Sequence, residues 1–278
     1  MGMMTVQEQS SSSHTALQVV ADILSNAPSI EVCHLRPHPN CSLFISWHGC
    51  IVLVYEGFPP PLIQAKMRIT HNNNSSLNLR EEKFGSKWPK TTLGAVNDGV
   101  DDLSPEQFKR LRDICNQYSK KIINTQNSID NNITRNEIKV STLSVVEYKQ
   151  RGLEMLSERI NVPLDMSSIN ESYNSVEQDS SNSTPSEDER SRVNNVISEW
   201  NDVQTYLPKV NAHGSHIGSY RQNLVGRTCV AFIDSNVPQH LRDCLSEFRA
   251  AVDEEFPGRY AWLDQASLHC TLRSLDEY

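Results

Sequence analysis

Residues 228–275 read TCVAFIDSNVPQHLRDCLSEFRAAVDEEFPGRYAWLDQASLHCTLRSL. Cys229 to Ile233 is a short apolar run of strand-forming residues. Pro238 stands where a helix begins. Leu241, Cys244, Leu245, Phe248, Val252 and Phe256 then recur on one face of a 3.6-residue period, and Pro257-Gly258 stops it. Tyr260 to Leu263 and Leu268 to Leu275 predict two more strands. The order β-α-β-β, with no long parallel crossover pattern elsewhere, predicts an α+β fold built on an antiparallel sheet.

Within the last strand, Leu268-His269-Cys270-Thr271-Leu272-Arg273-Ser274-Leu275 has the form H-x-T-x-x-x-L. Side chains alternate along a strand, so His269 and Thr271 share a face. An imidazole moves a proton near neutral pH, and a hydroxyl beside it donates a hydrogen bond to a phosphoryl oxygen. The opening strand, the proline-led helix, the strand Tyr260-Ala261-Trp262 and the loop into the H-x-T strand together resemble the first lobe of the two-histidine (2H) phosphoesterases, the 2′-5′ RNA ligase-like superfamily. That resemblance covers residues 227–278 and implies a partial lobe of that fold. It implies cyclic phosphodiesterase chemistry on RNA ends or nucleotide phosphates, with His269 as one general acid/base and Thr271 as a phosphate ligand, and with no cofactor or metal. It also implies a second H-x-T motif from a second lobe. No other histidine in the chain is followed two residues later by threonine. The expectation is therefore that activity needs a second lobe, following Tyr278 or supplied by a protein partner. The alternative is a non-catalytic interaction module carrying a vestigial half-domain.

The rest of the chain divides, on composition, at residues 13, 124 and 226. Residues 1–13, with the run Ser10 to Ser13, predict a disordered tail. Residues 14–124 predict an α+β domain that resembles no family. Its elements are a helix over Ala16 to Leu24 and a strand from Ile30 to Leu35. A hairpin of Leu43–Trp47 and Ile51–Tyr55 turns at His48-Gly49. Strands are expected at Leu62–Ile69 and Thr91–Val96. A helix opens on the capping box Ser104-Pro105-Glu106-Gln107, with the stripe Phe108, Leu111, Ile114, Cys115, Tyr118 and Ile122. Residues 125–226 predict an amphipathic helix over Val145–Ile160 and an isolated helix over Arg192–Val203. Between them a disordered acidic linker runs from Asp165 to Arg192, and a loop covers His213 to Ser219.

Composition excludes several classes. The chain of 278 residues is 37% hydrophobic with a net charge of −8, which disfavours non-specific binding to nucleic acid. No apolar run of about 18 residues exists, so no membrane helix is expected. The start MGMMTVQEQSSSSH lacks the basic and apolar regions of a secretory signal. Seven cysteines and no such signal predict reduced thiols in a cytoplasmic compartment. Cys33, His34, His38, Cys41, His48 and Cys50 are zinc-ligand types, but no C-x2-C pair occurs and buried thiols explain them. Lys83 to Thr92, KFGSKWPKTT, could hold a phosphate, yet lacks the P-loop frame. It reads as a solvated loop entering a strand, with Trp88 a core anchor. Ser183-Thr184-Pro185-Ser186-Glu187-Asp188-Glu189 reads as an unmodified spacer in preference to a phosphorylated one.

Overall fold

The computed structural model describes residues 6–71, 79, 87–124, 136–166 and 182–275, with side chains from Ala16 onward. Helix α1 (Val6–Ser25) buries Leu17, Val20, Ala21 and Leu24. It starts within the expected polar tail. A packed amphipathic half supplies the costly nucleus, and Gln and Glu then extend the helix outward. Strand β1 (Cys33–Leu35) follows, then β2 (Leu43–Ile45) and β3 (Ile51–Val54). β2 and β3 form the expected hairpin, and the turn between them holds His48 at φ 63° and Gly49 at φ 74°.

Leu62–Ile69 is not a strand. It lies in helix α2 (Pro60–Thr70), which Pro59-Pro60-Pro61 opens and which buries Leu62, Ala65 and Ile69 at helical spacing. Strand β4 (Lys90–Val96) and helix α3 (Pro105–Asn124) are where the sequence places them. The α3 capping box is closed both ways. Gln107 N–H donates to Ser104 Oγ at 3.2 Å, and Ser104 N–H donates to Gln107 Oε1 at 2.9 Å.

The expected helix over Val145–Ile160 is instead a hairpin. After β5 (Ile138–Val140), strands β6 (Thr142–Tyr148) and β7 (Leu156–Pro163) pair antiparallel. Apolar residues there satisfy a two-residue period as well as a helical one, and pairing with a buried neighbour decides between them. In the expected acidic linker, residues 167–181 lie outside the described part. Beyond them, Ser186 caps helix α4 (Glu187–Ser198), its Oγ accepting from Glu189 N–H at 3.3 Å. Glu189 is buried against Arg192 and accepts from Phe58 N–H. The acidic text is thus a helix start, where carboxylates meet the positive end of the helix dipole. Helices α5 (Val203–Val210) and α6 (Ile217–Arg221) follow, the latter starting inside the expected loop and running past its end.

The last segment forms as read: β8 (Gly226–Phe232), α7 (Gln239–Glu255), β9 (Tyr260–Trp262) and β10 (His269–Ser274). One antiparallel sheet runs β2-β3-β4-β10-β8-β6-β7, with β9 added on β4; β1 and β5 form a separate ribbon. The fold is α+β. The divisions at 124 and 226 are not those of the sheet, because β10 pairs with β4 on one side and β8 pairs with β6 on the other. A segment of that size cannot bury its own strand faces and edges, so its neighbours in the sheet come from the rest of the chain. One core cluster accordingly mixes Leu17, Phe44, Phe108, Val145, Tyr206, Phe248 and Leu272. Among the described residues, no helix is long and apolar enough to cross a membrane.

Candidate functional site

β10 and β4 are antiparallel neighbours at the middle of the sheet, with Cys270 opposite Thr91. Cys270 and Thr91 both point into the core and are fully buried. Alternation then turns His269, Thr271, Lys90 and Thr92 to the opposite face. All four line one cavity of ≈ 160 Å³, with Lys87, Trp88, Tyr148, Arg151 and Tyr220 around them. One register step from the Cys270–Thr91 pair sets His269 beside Thr92 and Thr271 beside Lys90.

The His269 ring is oriented. Its Nδ1 lies 2.7 Å from the Ser267 carbonyl oxygen, which can only accept, so Nδ1 carries the proton and Nε2 the lone pair. Burial pushes its pKa down to about 4; the Ser267 bond opposes this and the Lys87 charge adds to it. Phe232 meets the ring edge-on at 6.1 Å. Among the described residues, the Thr271 hydroxyl has no hydrogen-bond partner.

Across the groove, the Lys90 ammonium sits 4.3 Å from the Trp88 ring centroid. Burial brings its pKa down to about 8, with Lys87 and Arg151 lowering it further. The Tyr220 hydroxyl meets Cys50 Sγ at 3.6 Å, and the Arg151 guanidinium lies over the Tyr220 ring at 5.3 Å. Lys87, Lys90 and Arg151 face this cavity, and no carboxylate is among its described lining residues. In a chain of net charge −8, this concentrates positive charge in one concave place.

The two central strands repeat each other. Lys90-Thr91-Thr92-Leu93 and His269-Cys270-Thr271-Leu272 share the same alternation of half-buried and buried positions. Both carry a bulge just after the threonine. Pairing with β3 passes from Thr92 to Gly94, skipping Leu93, and pairing with β8 passes from Thr271 to Arg273, skipping Leu272. The frame repeats as well: β3-α2-β4 and β8-α7-β9-β10 place their strands in the order β3-β4-β10-β8, with the Thr91–Cys270 pair at the centre.

The sequence names His269 and Thr271 as candidate site residues and places Lys90 and Thr92 in a run read as a loop; the structure brings all four to one cavity. The available signal was K-x-T-L matching H-x-T-L. The run Lys83–Thr92 was expected to be a solvated loop. Residues 83–86 lie outside the described part, while Lys87, Trp88, Lys90 and Thr92 enter the cavity. Trp88 does anchor to the core, edge-on to Phe44 at 6.1 Å. His213-Gly214-Ser215 is the one other place where a hydroxyl follows a histidine two residues on. It lies in a loop away from this groove, with His213 Nε2 3.4 Å from Asp102. The Cys/His cluster of residues 33–50 is dispersed. His38 Nε2 meets Asn194 Oδ1 at 3.0 Å, and His48 Nδ1 lies 2.9 Å from the Ala212 carbonyl oxygen and 3.2 Å from Gly214 N. Burial pushes the Cys33 and Cys41 thiols up to about 12. Among the described residues, no group of three or more His, Cys, Asp or Glu could hold a metal ion. Compared with family models, curated proteins and solved structures, the chain gives no match.

Proposed function

We propose that this chain is a 2H-type phosphoesterase acting on RNA ends or cyclic nucleotide phosphates, in the groove over β4 and β10. The observation that carries the reading is that His269 and Thr271 open side by side into a carboxylate-free, cationic cavity. A phosphoester in the groove is held by charge from Lys87 and Arg151 and by the Thr271 hydroxyl. His269, with a lone pair on Nε2, exchanges a proton with the reacting oxygen. The aromatic wall of Trp88, Tyr148 and Tyr220 suits the ribose and base beyond the phosphate. That a strand from residues 14–124 lines the groove favours this reading over a non-catalytic module with a vestigial last segment.

The test uses the full chain, 2′,3′-cyclic AMP as substrate and adenosine 2′-monophosphate as a binding probe. Turnover is expected, falling by ~10²–10⁴ in His269→Ala, as for loss of a general acid or base. Thr271→Val is expected to weaken both turnover and probe binding. A wild-type chain that neither turns over the cyclic phosphate nor binds the monophosphate would refute the reading.

A further inference from the structure

Resting on the phosphoester reading of the groove, we infer that Lys90 and Thr92 are the second half of the site. Lys90 is then a catalytic residue that protonates the leaving oxygen while His269 takes the proton of the attacking water. The inference stands on placement. Lys90-x-Thr92 and His269-x-Thr271 lie on neighbouring antiparallel strands about a shared register pair, on one face, in one cavity. Each is followed by a one-residue bulge at a buried leucine. Diagonal neighbours in such a pair are about 7–8 Å apart, somewhat less at Cβ, a gap that long side chains span from both sides of a bound group. His269 and Lys90 occupy one diagonal and the two threonines the other. A phosphoryl group at the centre would meet a proton-transfer group on each side and a hydroxyl on each remaining side.

The chemistry balances with these groups alone. The water oxygen forms a bond to phosphorus as the bond from phosphorus to one ribose oxygen breaks. The water proton passes to His269 Nε2, and a Lys90 Nζ proton passes to the departing ribose oxygen. Exchange with solvent then restores imidazole and ammonium. The two groups enter the reaction in the required states, because burial keeps the imidazole neutral, whereas the lysine still holds its proton at pH 7. A histidine and a lysine therefore divide the base and acid roles between them before substrate arrives.

The experiment compares Lys90→Met, Lys90→Arg and Lys90→His with the wild type and His269→Ala, on 2′,3′-cyclic AMP across pH, with calorimetric binding of adenosine 2′-monophosphate. Lys90→Met retains an apolar stem over Trp88 and is expected to lose ~10²–10⁴ in kcat. Lys90→Arg is expected to bind the monophosphate within a few-fold of wild type yet stay at the same low kcat, because guanidinium does not release its proton near neutral pH. The wild-type alkaline limb of kcat is expected near pH 8, moving to lower pH in Lys90→His; a merely structural lysine moves none of these. Turnover of Lys90→Arg or Lys90→Met within about three-fold of wild type, with His269→Ala inactive, overturns the inference and leaves the phosphoester reading standing. Binding without turnover by the wild type also overturns it and leaves the groove a phosphate site. Neither binding nor turnover by the wild type sinks both.

Discussion

The burial of His269 makes the stability of this protein depend on pH in a particular window. Its ring is held neutral at neutral pH, with a folded pKa of about 4 against 6.5 in the unfolded chain. Below pH 6.5 the unfolded state takes up a proton that the folded state refuses. The stability this site contributes is therefore fully present above pH 6.5 and is lost as pH falls towards 4. With those two values the loss reaches about 2 kcal/mol at pH 5. Water in the groove reaches the half-buried ring, so this is an upper figure. His38 and His216 are also shifted down by burial, so the acid sensitivity of the wild type alone does not isolate His269. The difference between wild type and His269→Gln does. Urea unfolding at pH 7 and at pH 5 is expected to show the wild type losing up to about 2 kcal/mol more than the variant over that interval. Equal losses in both proteins would refute the burial assigned to this ring and the lowered pKa it causes, and with them its role as a neutral base.

Three further outcomes test the frame around the groove. A Cβ on Gly94 would lie 2.7 Å from the Trp262 ring and 3.1 Å from the Ala261 carbonyl oxygen, so Gly94→Val is expected to prise β9 from β4. The cost is about 1–3 kcal/mol, and an unchanged unfolding midpoint would contradict the register of that pair. Ser104→Ala removes the hydroxyl that accepts from Gln107 N–H and is expected to cost ~1 kcal/mol in thermal unfolding; no loss would mean the box does not hold α3. The seven thiols are all buried, and burial raises those of Cys33, Cys41, Cys229 and Cys270 to about 12. Ellman's reagent at pH 8 is expected to leave the native chain unmodified over minutes and to titrate all seven in guanidinium chloride; rapid native labelling would argue against this packing.

The amino-acid sequence was enough for the elements whose signals are local. The proline-led α7, the capping box of α3, the His48-Gly49 turn and the H-x-T alternation each involve residues a few positions apart, and those interactions form the same way in any surroundings. Where the signal was local but ambiguous, the outcome turned on neighbours. Val145–Ile160 fits a helix or a hairpin, and pairing with β8 selects strands; Leu62–Ile69 looks like a strand until Pro59-Pro60-Pro61 is weighed as a helix start. The proposed site is half legible in the sequence. His269 and Thr271 carry a motif, whereas Lys90 and Thr92 look like loop residues until β4 is laid against β10. That juxtaposition joins segments far apart in the chain, and burial of the core-facing side of both strands in one sheet enforces it. Local chemistry wrote one side of the groove into the text, and non-local strand pairing, driven by the burial of β4 and β10 between their neighbours, supplied the other.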